Sequence, residues 1–210
     1  MTNLRQEAGF AVPIGAEDRA RFARYNEASA FFDGDQWLGR RQRGETRLTV
    51  NYARSLMRKV ASYVFPAPVT FTVTPWSPDQ AEAANAAERI LAGTIAQNDL
   101  DRLDVALAVD AAVLGDAAMK VTWDATAGRA VVAAVDPATL TVLTAPGNPR
   151  ELARVTQRWS ARGDQIAGLF GPDSAAGLDP GRGYHVVETW SANRWRVEIA
   201  GQTFRDGVNP

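Results

Sequence analysis

Cysteine is missing from all 210 residues, which excludes disulfides, thiolate metal sites and thiol nucleophiles at one stroke. His185 is the sole histidine, so a multi-histidine metal centre is excluded as well. Lysine is nearly absent too: of 23 basic residues only Lys59 and Lys120 are lysine. With abundant alanine, that reads as a base-composition bias of the gene. No apolar run approaches the ~20 residues a membrane-spanning helix requires, and the N-terminus lacks the apolar core of a secretory signal. Net charge is −1, so no whole-molecule field draws the chain to nucleic acid or to a membrane surface. These absences predict a soluble protein, intracellular where it is made, with no cofactor and no membrane partner.

What is present is the composition of an ordinary globular protein, 46% hydrophobic and 22% charged, enough for one generous domain or two small ones. The charge is uneven along the chain. Residues 1–60 hold eleven basic and seven acidic side chains, whereas 61–118 hold two basic and eight acidic.

Residues 1–15 read as a flexible polar arm. Glu17 to Phe32 reads as a helix stopped by Gly34, with Glu17 and Asp18 in its first turn, where the helix dipole favours acids. Asn51 is a fitting N-cap for a helix that Pro66 must end. In it Val50, Ala53, Leu56, Met57, Val60, Ala61 and Val64 fall on one stripe, which predicts a buried face and a cationic opposite face with Arg54, Arg58 and Lys59. The alternation Val69-Thr70-Phe71-Thr72-Val73 predicts a half-buried strand. Ser77-Pro78-Asp79-Gln80 has the order of a capped helix start. That helix runs to about Gln97, with Ile90, Leu91 and Ile95 facing inward. Asn98-Asp99 breaks the helix, and Asp99 caps the next one, Leu100 to Leu114, which Gly115 closes.

From Asp116 the pattern turns to strands. A hairpin is expected over Met119–Val135, then strands at Leu140–Thr144, 153–159, Tyr184–Trp190, Trp195–Ile199 and Thr203–Arg205. Residues 161–183 are rich in Gly, Asp, Pro and Ala and read as a mobile surface insertion. The predicted class is α+β, with N-terminal helices packed on a mostly antiparallel β region. Within one domain, 16–115 form the helical part and 116–210 the β-rich part. The last residues, Phe204 to Pro210, have turn composition with no helix or docking strand behind them, which reads as an excerpt of a longer chain.

Converging chemistry is hard to find. There is no Gly-rich phosphate loop of either common spacing. Asp99, Asp101, Asp104, Asp110 and Asp116 form an acidic series, but their spacing spreads them around a helix, so a solvated acidic face is the plainer reading. His185 lies in an alternating strand with no Ser or Asp partner implied, and Trp190 and Trp195 flank a turn as a cross-strand pair does. No catalytic or metal-binding residue is assigned. The cluster Arg40, Arg41, Arg43 and Arg47, beside Trp37, is the strongest candidate. Guanidinium forks pair with phosphates, and an aromatic ring stacks on bases. The same forks also pair with carboxylates, within the fold or on a neighbouring subunit, for which Asp101, Asp104 and Asp110 are the candidate acidic face; plain solvation is the remaining reading.

The order of these elements resembles a known family. Tyr25 … Phe32-Asp33-Gly34-Asp35-Gln36-Trp37 is similar to the opening of tailed-bacteriophage portal proteins, in which an Arg-rich segment and an Asn-headed helix follow, as at Val50-Asn51-Tyr52. Ala61 to Val73 matches the helix-to-strand passage. Asp110-Ala111-Ala112-Val113-Leu114-Gly115-Asp116-Ala117-Ala118-Met119-Lys120-Val121 matches the end of the acidic helices, and Val135-Asp136-Pro137 the turn beyond. The resemblance covers about residues 20–160. It implies a homo-oligomeric, dodecameric ring at one capsid vertex, made in the bacterial host cytoplasm and carried in the virion. Double-stranded DNA is packaged and ejected through such a ring, which meets the capsid protein and to which the packaging motor (terminase) and tail adaptor dock. The matching part would be the outer wing, a structural fragment without catalysis, since no stem, clip or crown is legible. A non-catalytic nucleic-acid-binding module resting on Arg40–Arg47 is the competing expectation.

Overall fold

The computed structural model describes residues 15–37, 39–124 and 127–209. The arm expected at 1–15 therefore lies, up to residue 14, outside the described residues, as does part of the turn at 125–128. The chain is α+β and divides into two compact units. One runs from Ala20 to Pro137; the other takes residues 138 onward with the first turn of the first helix. The division thus falls after the first hairpin, beyond the helix-to-strand change at 115/116.

In the first unit α1 (Ala16–Asp33) ends where Gly34 takes a positive φ of 93°. Gly34 N–H donates to Phe31 O and Asp35 N–H to Ala30 O, the paired bonds that satisfy the last carbonyls of a helix stopped by a left-handed glycine. A Cβ on Gly34 would also meet Asn51 Nδ2 at 3.2 Å. Asn51 heads α2 (Tyr52–Val64) as expected: its Oδ1 accepts from Arg54 N–H at 2.9 Å, while its Nδ2 donates to Phe32 O at 2.7 Å. One side chain therefore caps one helix and ties it to the end of another. Tyr25, only 2% exposed, donates its hydroxyl to Asp116 and fixes α1 to the chain beyond the last helix of the unit.

The expected burial of α2 does not hold. Only Ala61 is buried; Leu56 is 58% exposed, and Val60 and Val64 stand open as well. The 3.6-residue period marks an apolar stripe, but a stripe is buried only if something covers it. Val69 to Val73 is likewise no strand of a sheet. Its alternation is real, yet among the described residues no edge pairs with it, and its one side-chain tie is Val73 N–H donating to Glu88. Trp76 beyond it is 98% exposed.

Pro78–Gln80 forms a single 3₁₀ turn leading into α3 (Ala81–Gln97), and Ser77, although extended, makes no side-chain cap. Ile90 and Leu91, expected inward, are exposed. Asp99 sits left-handed at φ 50° before α4 (Leu100–Leu114), without the side-chain cap expected of it. Asn98 is put to use instead: its amide donates to Ala130 O and accepts from Val132 N–H. It thereby occupies the outer edge of β2 (Arg129–Val135), which pairs antiparallel with β1 (Ala118–Asp124) in a two-stranded sheet. Packing of α4 on α2 and on β2 completes the unit.

The second unit is a five-stranded antiparallel meander, β3 (Leu140–Ala145), β4 (Asn148–Arg162), β5 (Gly183–Ser191), β6 (Trp195–Ile199) and β7 (Gln202–Gly207), in sequence order. Trp190 and Trp195 are register partners across β5 and β6. The tail expected to be turn-like from Phe204 belongs to β7 as far as Gly207. Residues 161–183 are not a structureless loop. Strand β4 runs on to Arg162, then α5 (Gly163–Phe170) and a 3₁₀ turn, Pro172–Ala175, follow. One glycine of the segment serves close approach: a Cβ on Gly163 would lie 2.5 Å from the Asp179 carbonyl oxygen. Ile166 of α5, fully buried, joins Ala161, Val186, Val197 and Ile199 in the core of this unit.

Candidate subunit-contact site

The Arg-rich segment folds into a loop braced from within, and the brace separates the four arginines. Arg47 Nε donates to Glu45 Oε1 at 2.7 Å, and its other nitrogens donate to Gly39 O and Arg40 O at 3.1 and 3.0 Å. Its guanidinium also lies over the Trp37 ring, 5.5 Å from the centroid, and Trp37 Nε1 donates to Thr49 Oγ1. Arg47 is therefore a structural hub, and one face of Trp37 is already taken. Glu45 is the hub's counterpart. The Arg47 guanidinium first, and then Gln42 N–H, hold its carboxyl below the usual carboxylate range.

Arg41 is half engaged, donating from Nε to Glu45 O at 2.8 Å. Arg40 and Arg43 are exposed and have no partner among the described residues. The contacts of Arg47 brace the backbone of the loop, and the Arg40 and Arg43 guanidiniums stand on its exposed surface.

The acidic candidates separate in the same way. Asp101 and Asp104, three residues apart, share one side of α4 and carry no hydrogen bond or ion pair among the described residues. They line a cleft of about 170 Å³ whose other wall is Phe65, Pro66, Ala67, Pro68 and Val69. Prolines 66 and 68 lack N–H donors and so end the helix, and the chain bends over residues 65–67 beside the start of α4. Asp110 lies elsewhere, half-buried; burial first and the charge of Asp136 second push its carboxyl up.

Two polar features of the second unit were not legible in the sequence. Ser160 Oγ and His185 Nδ1 lie 3.2 Å apart as register partners of β4 and β5. Arg158, buried, donates to Thr141 Oγ1 at 2.7 Å, and burial pulls its guanidinium down from its usual pKa. Only the strand register could have revealed either contact. Among the described residues no group of three or more His, Asp or Glu is placed to hold a metal, and no helix is long and apolar enough to cross a membrane.

Fold and site together describe an α+β protein with an exposed arginine loop, an acidic cleft and an open apolar helix face. The chain belongs to the phage portal proteins: a family described as phage portal protein, SPP1 Gp6-like, matches residues 15–164. That family is structural, and its members assemble as oligomeric rings in phage heads. The match ends inside α5, so β5 to β7 lie beyond it. No curated protein matches the chain.

Proposed function

We propose that this chain is a wing-region part of a portal ring, a dodecamer at one capsid vertex. Double-stranded DNA is packaged and ejected through the ring, and the packaging motor, capsid protein and tail adaptor bind around it. The protein is made in the bacterial host cytoplasm and ends in the virion. Its work is contact, not catalysis. The observation that carries this reading is the family match over residues 15–164, supported by surfaces that a lone subunit leaves uncovered. Leu56, Tyr63, Phe71 and Trp76 are all more than half exposed in one unit, and large apolar side chains left open in such number fit a surface that another chain covers.

Arg40 and Arg43 also fit a second reading, contact with the phosphates of DNA, because both are exposed and unpaired among the described residues. The two readings differ in salt dependence, since each neutralised phosphate steepens the fall of log K with log salt. The full-length protein should form closed rings by native mass spectrometry and turn over no ATP, for want of a phosphate-cradling loop. Persistent monomers, or ATPase activity that survives repurification, would overturn the proposal.

A further inference from the structure

We infer that the Arg40–Arg43 tip of one subunit seats in the cleft between the Phe65–Val69 segment and Asp101 and Asp104 of its neighbour. The inference rests on the ring reading and names the two faces that meet. The cleft has one apolar wall and one acidic wall. An arginine is built the same way, with an apolar stem that covers hydrophobic surface and a charged fork that pairs with carboxylates. At about 170 Å³ the cleft is far larger than the roughly 10–15 Å³ one water needs, which leaves room for an arginine side chain.

The donor side is equally particular. Arg47 and Glu45 brace the loop, so the backbone that carries Arg40 and Arg43 has less freedom to lose on meeting a partner. Within one chain the two charge sets do not meet: neither the free arginines nor Asp101 and Asp104 have a partner among the described residues. Two different patches on one molecule, complementary in sign, make a head-to-tail contact, and such a contact closes into a ring when its rotation allows. Opposite charges at that contact also fix register and reject face-to-face pairing.

The test uses the full-length protein and charge reversal. Arg40→Glu with Arg43→Glu, and separately Asp101→Arg with Asp104→Arg, should each abolish rings in native mass spectrometry while circular dichroism stays native. All four changes together should restore the rings. The absence of cysteine from these 210 residues allows a second measurement on this chain. Arg43→Cys combined with Asp104→Cys, treated with a short bis-maleimide, should give a ladder of covalent oligomers. Intact rings in both reversed variants, no recovery in the fourfold variant, or no ladder would each overturn the docking. Intact rings that fail to package DNA would assign the arginines to DNA instead. A wild-type protein that never forms rings would remove the ring reading itself.

Discussion

Asn51 concentrates two tasks in one side chain, capping α2 through Oδ1 and holding the Phe32 carbonyl through Nδ2. Asn51→Ala removes both, and loss of an N-cap alone costs about 0.5–2 kcal/mol. Urea melts should therefore show a drop at or above the upper end of that range, because the Phe32 carbonyl loses its donor as well. Asp110 works in the opposite direction. It lies in the last turns of α4, where a negative charge meets the negative end of the helix dipole, worth about 0.3–1 kcal/mol, and burial and Asp136 raise its pKa. A carboxyl raised in the fold costs stability that builds as pH rises above its ordinary pKa and is complete above its raised one. Below the ordinary carboxylate range it is protonated folded and unfolded alike, and the cost disappears. Asp110→Asn should accordingly raise the melting temperature near neutral pH and leave it unchanged in strong acid. Equal gains at both ends would show that charge is not the cause.

At the scale of elements α2 carries the main lesson. Its boundaries, its cap and its stop were legible, because each depends on residues within one turn of the chain. Its burial was not, since the stripe of Leu56, Val60 and Val64 reports only that something apolar belongs there. Within the described residues α4 packs on this helix, yet these three stay largely open. The same distinction explains Val69–Val73, where the alternation was visible and the missing partner edge was not. The strands β3 to β6, by contrast, sit close to where their patterns place them, because each finds its partner nearby in sequence. The candidate site was half legible. The arginine cluster and the acidic helix could be named, but the bond set of Arg47 and the cleft beside Asp101 and Asp104 are made by folding. With Leu56 on the surface, Leu56→Asp should leave the isolated chain folded, within the roughly 0.5 kcal/mol typical of surface changes. Loss of cooperative melting in that variant would show the residue to be covered after all.

For the whole molecule, near-neutral charge conceals a separation of sign, with an arginine loop and an acidic cleft on the same compact unit. A family that builds rings needs such a difference between its two sides more than it needs a strong total field. The other unit has a different economy. In the order β3-β4-β5-β6-β7 every ladder joins strands that follow one another along the chain. Loop closure between near neighbours costs little entropy and is fast. A nascent chain leaving the ribosome can therefore add each strand to the one made before it, with α5 and its 3₁₀ turn folding in between β4 and β5.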